Sequence, residues 1–463
     1  MTRPGREGDL LIEPPFVRRA EVVPTREDRS YVVFIGGAMF SAIVGGFALA
    51  IVVSLAGSGL FWQERLPWLI QAHGWAQLQG WAGLFVAGMG LRLLPRFSGH
   101  RPLAKRVNFA VFIPLFAGTV LRTVAQPFSG DGISPAVFFA AQVLWACGAA
   151  AFSGMVLRTL VRAHGRDPWR VFALGGACWW LAWAVASVAA GVRGARNDAF
   201  VPNALDEPMT WMVMLGAIGN FIWAVQSRAV PIFFGRKPPP LSRVVAPGIL
   251  LNAGVALVFA AGWFAREAIH ERLLGVGFVL CGSALVWLAP TAGSCWGKAT
   301  RLRPRARSAA RFVLLANLSA ITCGLLLLWV GTRTLMAGEF AAVAARDAAR
   351  HAFGVGVITL LVVGMAQLIA PFFALRRVEP RKHWLVDEGV FWLLATAVVL
   401  RISSGLLSEH LSINARMHLS ALAGSLAWVA LVIFAVVAIR AIRAEPATKA
   451  TIAAMATRQD PKH

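Results

Sequence analysis

Apolar residues run along this chain in twelve stretches, with the polar and charged residues gathered between them. Crossing the hydrocarbon core of a bilayer takes a helix of roughly 20 apolar residues. The stretches lie near 31–56, 73–94, 107–125, 133–161, 169–192, 209–234, 245–265, 273–297, 310–332, 351–375, 388–407 and 415–440. The pattern predicts an all-α polytopic membrane protein of about 12 transmembrane helices. A tail of residues 1–30 precedes the twelve-helix domain, 31–441, and a second tail, 442–463, follows it.

Three of the stretches share one gapless spacing, in which a glycine stands fifteen residues before a proline: Gly80 to Pro95, Gly216 to Pro231 and Gly356 to Pro371. These are the second, sixth and tenth spans, so the chain divides into three four-helix units, which an internal repeat of this kind arranges as a pseudo-threefold ring. Small residues let helix backbones approach closely inside lipid, and a proline near the end stops a helix. The glycines are therefore expected to serve packing, and the three helices to line one central axis.

Composition agrees with the pattern: 57% of the 463 residues are hydrophobic and only 14% are charged, too apolar for a soluble protein of this length. A formal charge of +23 would suit a nucleic-acid binder, but most of the Lys and Arg fall on the side that holds both termini and the alternate loops, whereas Asp and Glu divide evenly. That is the positive-inside asymmetry. It predicts a bacterial inner-membrane location with both termini cytoplasmic and no nucleic-acid partner. The first thirty residues lack an apolar core and a small-residue cleavage site, so no cleaved signal peptide is expected. Cys147, Cys178, Cys281, Cys295 and Cys323 lie in the apolar stretches without a CxxC pair, which speaks against a disulfide framework or a disulfide-linked partner.

Chemistry is sparse within such a chain, which makes two histidines informative. His73 and His351 begin the second and tenth spans, and the helix after each carries an arginine near its outer end, Arg122 and Arg401. The middle unit lacks both residue types at the comparable places, its nearest arginine being Arg266 in a loop. A b-type haem iron takes two axial nitrogen donors from facing helices, and its propionates favour cations or water. His73 and His351 can supply the donors, Arg122 and Arg401 the cations. Against a simple symmetry, His73 lies 22 residues before its proline and His351 lies 20 before its own. No Asp or Glu falls within the core of a predicted span, which leaves no carboxylate relay for protons.

The run QAHGWAQLQGWAGLFVAGMG resembles the second helix of haem-copper oxidase subunit I, in which a histidine binds the low-spin haem. The chain is also similar to the NnrS family, through that histidine-led helix, the GNFIWAVQSRAVPIFFG element and the RHAFGVGVITLLVVGM helix. The resemblance implies a haem-copper oxidase subunit I-like fold of three four-helix units, haem b, and a role in nitric oxide response, denitrification-linked or respiratory metabolism, with nitric oxide or quinol as a partner. The sixth and seventh spans carry no histidine and the single tyrosine is Tyr31, so a terminal oxygen reductase is not expected. A copper site at three histidines would need a donor such as His418 or His410. Two other functions fit the pattern. One is a quinol-linked membrane oxidoreductase; the other is a small-molecule transporter, since repeats and glycine-rich helices also suit alternating access.

Overall fold

The computed structural model describes residues 30–101, 103–129, 133–163, 165, 167–264, 267–292, 304–337, 343–374 and 384–443. Among these residues there is no strand, and eleven helices are long and apolar enough to cross a membrane: α1 (Tyr31–Gly57), α3 (Lys105–Phe128), α4 (Ser134–Arg162), α5 (Pro168–Ala195), α6 (Asn203–Phe233), α7 (Leu241–Phe264), α8 (Ile269–Ala292), α9 (Ser308–Ala337), α10 (Val343–Gln367), α11 (Val386–Leu406) and α12 (Ile413–Arg440). This is the all-α architecture of a polytopic membrane protein. A further unbroken helical run, α2 (66–97), coincides with the second apolar stretch. It is as long as the others but interrupts its apolar surface with Gln71, His73, Gln77, Gln79 and Arg92.

Three helices form the interior. The most apolar windows of α6 and α10 are 89% and 78% buried, against 33–56% for the other nine spans, and α2 is buried along most of its length. The three touch one another directly: the Trp81 indole of α2 donates to Thr359 of α10 at 3.1 Å, Trp75 of α2 donates to Asp206 of α6 at 2.8 Å, and Arg346 of α10 pairs with Glu207 of α6 at 2.8 Å. Around them α4 packs on α5, α8 on α9, and α12 on the second half of α1. Trp428 of α12 fastens that last contact by donating to the Ile43 carbonyl at 3.0 Å, so the outer helices close into a ring. Ile113, Val124, Val161, Val185, Ile249 and Trp392 face outward and exposed, the apolar belt that lipid requires.

The repeat is visible atom by atom at the signature glycines. A Cβ on Gly80 would meet Ser41 of α1 at 2.4 Å and Thr119 of α3 at 3.0 Å; on Gly216, Trp179 of α5 and Val255 of α7; on Gly356, Ser319 of α9 and Val398 of α11. Each glycine therefore faces the two flanking helices of its own unit. The helices meet at the central axis, as expected, but the glycines point away from it.

Each inner helix also widens into a π-helical segment around its glycine, at Ala76–Leu84, Met212–Ile218 and Gly354–Thr359. A π turn brings the carbonyl five residues back close to the side-chain position, as at Gly83, where a Cβ would meet the Leu78 carbonyl oxygen at 2.7 Å, and at Gly219, where it would meet that of Met214 at 2.9 Å. In the third unit Thr359 holds that place and turns the crowding into a bond, its hydroxyl donating to the Gly354 carbonyl at 3.1 Å. Segments of this kind concentrate at functional sites.

The inner helices begin well before the predicted spans, at residues 66, 203 and 343 instead of 73, 209 and 351. The added turns hold Gln71, Asp206, Glu207 and Asp347, whose polar groups are paired within the bundle. Hydropathy reads such residues as loop, so these carboxylates, which lie before the predicted spans, belong to the first turns of the inner helices. Cys147, Cys178, Cys281 and Cys323 are free thiols. Cys295 and Arg266 lie outside the described residues.

Candidate functional site

His73 rises from the first turns of α2 toward α1, where its Nδ1 lies 2.9 Å from the carbonyl oxygen of Gly46. Gly46 belongs to a fourth π segment, Ser41–Phe47, within α1. A Cβ there would meet the terminal amide of Gln77 at 2.8 Å, a contact that rotation of that side chain can relieve. His351 of α10 is fixed in the same manner, with Nδ1 2.9 Å from the Asp347 carbonyl oxygen and 3.3 Å from the Asp347 carboxylate. A carbonyl oxygen only accepts, so Nδ1 carries the proton in both rings, and in the neutral tautomer Nε2 keeps its lone pair. Among the described residues neither Nε2 has a hydrogen-bond partner.

The two imidazoles share one electrostatic neighbourhood: His351, Arg401 and Asp347 all act on His73. Asp347 is its hub. The carboxylate takes a hydrogen bond from Arg401 Nη2 at 2.7 Å and approaches Arg350 at 4.0 Å. Arg401 Nη1 reaches Ser404 at 3.2 Å, whose hydroxyl contacts Ser420 of α12 at 3.2 Å. His351, Asp347 and Arg401 keep 23%, 29% and 19% of their side-chain surface open, which leaves them accessible within a tightly packed bundle.

Arg122 is elsewhere. It lies over the Trp75 ring at 4.5 Å and the Phe138 ring at 5.1 Å, and its Nε donates to Gln126 Oε1 at 3.3 Å. Gln126 in turn donates to Gln71 at 2.8 Å. Gln71 and Trp75 are four residues apart on one face of α2, and His73, two residues from each, is turned roughly 200° away from them. The structure thus gathers His73, His351 and Arg401, and sets Arg122 on the opposite face of α2.

Superposing the units on their glycines explains the separation. Arg122 stands three residues after Thr119, Arg401 three after Val398, and Val258 three after Val255, so the two arginines are structural equivalents and the middle unit has a valine. Nine residues before each glycine stand Gln71, Glu207 and Asp347; five before stand Trp75, Trp211 and His351. The carboxylates of this belt are what sequence reading missed, because the signal lay in alignment to the glycine and outside the apolar window.

Among the described residues no three His, Cys, Asp or Glu side chains converge to hold a metal ion. His418 is exposed on α12 and His410 in the turn before it, so neither is brought to the two inner histidines as a third donor. The pair offers two imidazoles from separate inner helices within one electrostatic neighbourhood, each with Nδ1 set against a backbone carbonyl, the kind of bond that orients a metal-bound histidine. No protein-family model matches the chain, and no curated protein sequence matches it.

Proposed function

We propose that the chain is a haem-binding integral protein of the bacterial inner membrane, in which α2 is a twelfth span and both termini are cytoplasmic. One observation carries this reading: His73 and His351, from two inner helices, both anchor Nδ1 on a backbone carbonyl and leave Nε2 unpartnered within one shared neighbourhood. Those atoms would hold a haem b iron, with Arg401 beside its carboxylates. Bound there, the haem would supply reversible one-electron or gas-ligand chemistry. The protein's own part is to fix both rings through Gly46 and Asp347 and to set the local charge through the Asp347–Arg401 pair.

The resemblance to the NnrS family and to haem-copper oxidase subunit I supports a role in nitric oxide response or respiratory metabolism, and three units closed around three inner helices accord with the oxidase-like plan. Positive charge on the side of the termini supports the orientation. An absorption spectrum of protein purified from haem-sufficient cells tests the central claim. A Soret band with bis-histidine α and β bands in the reduced state is expected; a colourless protein overturns it.

A further inference from the structure

The loop between α5 and α6, residues 196–202, contains two consecutive non-glycine residues in the left-handed region, Asp198 at φ 50° and Ala199 at φ 57°. Side chains with a Cβ resist that conformation, and it persists only when the surroundings impose it. Three residues do so here. Trp68 donates to the Asp198 carbonyl at 2.8 Å, and Gln126 donates to that of Ala199 at 3.1 Å. Gln71 grips Val201 twice, donating to its carbonyl at 2.6 Å and accepting from its N–H at 3.1 Å. Ala199 and Val201 are thereby pressed down until both are wholly buried.

Gln126 links this loop to Arg122, which is also wholly buried. The Trp75 and Phe138 rings pack against its guanidinium and Nε is satisfied by Gln126, but Nη1 and Nη2 have no hydrogen-bond partner among the described residues. Asp206 acts on it only at a distance, since that carboxylate accepts from Trp75 and makes no ion pair with Arg122 among the described residues. A buried guanidinium with two unmet donors is strongly disfavoured unless something accepts from it.

The third unit shows what belongs there. Arg401, the structural equivalent of Arg122, is met by Asp347; the residue equivalent to Asp347 in the first unit is Gln71, which has the shape of an acid and no charge. We infer that the first unit binds a small planar oxyanion, a carboxylate or an inorganic anion of similar shape, on Nη1 and Nη2 of Arg122, with residues 196–202 as its lid. The ligand supplies from solution the charge that Asp347 supplies within the chain. With the lid down both nitrogens are closed off from solvent, so entry requires the loop to lift, and the strain at Asp198 and Ala199 favours lifting. The site lies on the other face of α2 from the histidine pair and does not depend on haem.

Calorimetric titration of the detergent-purified full chain with formate, acetate, nitrate and phosphate tests this, with Trp fluorescence reporting on Trp75. Saturable one-to-one binding of at least one planar anion is expected; formate and acetate against nitrate separate organic from inorganic sources, and phosphate is the bulky control. Arg122→Gln should weaken binding about tenfold or more. Gln71→Glu should weaken it at least as much, because it sets at the position equivalent to Asp347 a fixed negative charge that competes with the anion for the guanidinium. Ala199→Gly should slow exchange by removing the strain that opens the lid. Failure of all three planar anions to bind the wild type overturns the proposal, as does unchanged binding in Gln71→Glu, a variant that decides the matter even if Arg122→Gln does not fold. Absence of a Soret band in the same samples would bear on the haem reading alone.

Discussion

His351 occupies in the third unit the position that Trp75 holds in the first, each five residues before the glycine that faces its flanking helices. The ring beside Arg122 is therefore an indole, and the ring beside the Arg401 pair is an imidazole. His73, seven residues before its glycine, looks from the far side of α2 toward α1 and the third unit. The two histidines are brought together because they occupy different positions in their repeats. Equivalent positions would have pointed each into its own unit, as Trp75 and His351 do toward their own arginines.

The proposed ligation makes the first prediction. His73→Ala and His351→Ala should each abolish the bis-histidine spectrum or convert it to a five-coordinate one, whereas His418→Ala and His100→Ala should leave it unchanged. Optical spectra of the four variants at equal haem supply decide it. Retention of the wild-type spectrum in both inner-histidine variants would exclude the pair as ligands.

Asp347 should tune the site without being a ligand. Asp347→Asn keeps the backbone carbonyl that fixes His351 Nδ1 but removes the charge that holds Arg401. Partners of metal-bound histidines are typically worth about 10–100-fold in affinity. Haem retention during dialysis against apomyoglobin should drop by about that factor, while the haem that remains keeps its bis-histidine bands. A loss of one axial ligand in this variant would mean that Asp347 acts otherwise.

The fold was readable where physics leaves a long-range mark in one dimension. Apolar runs marked the spans and the fifteen-residue spacing marked the three inner helices. The belt of Gln71, Glu207 and Asp347 left no such mark, since a carboxylate that finds Arg346 or Arg401 across the bundle looks, in sequence, like the end of a span. Likewise Arg122 and Arg401 were paired correctly as equivalents, but which face of α2 meets Arg122 depends on rotation, and two residues of uncertainty turn a helix through about half a circle.

Glycine packing makes a separate prediction about stability. At Gly80 a Cβ would stand 2.4 Å from that of Ser41, and at Gly88 it would stand 2.4 Å from that of Phe34, so α1 and α2 cannot both keep their places. Forcing side chains into packed cores costs about 1–3 kcal/mol or more. Gly80→Val and Gly88→Val should lower the detergent melting temperature, and Gly36→Ala, where a Cβ meets nothing within 4 Å, should not. Equal melting of all three would show that the helices are not held at these contacts.

The pair between α6 and α10 tests whether the outer polar belt also holds the inner helices together. Arg346 is 5% exposed and Glu207 21%, so water can replace little of what either partner supplies. Removing one member of a buried pair strands the other and costs about 3–5 kcal/mol. Glu207→Gln should therefore destabilise the protein by several degrees, and adding Arg346→Gln should return part of the loss, because two neutral amides can bond to each other whereas the single variant leaves the guanidinium without this carboxylate. Thermal melts of the two single variants and the double complete the cycle. Additive losses would show the ion pair to be incidental to the contact between α6 and α10, whereas a double variant more stable than Glu207→Gln alone is the result this geometry requires.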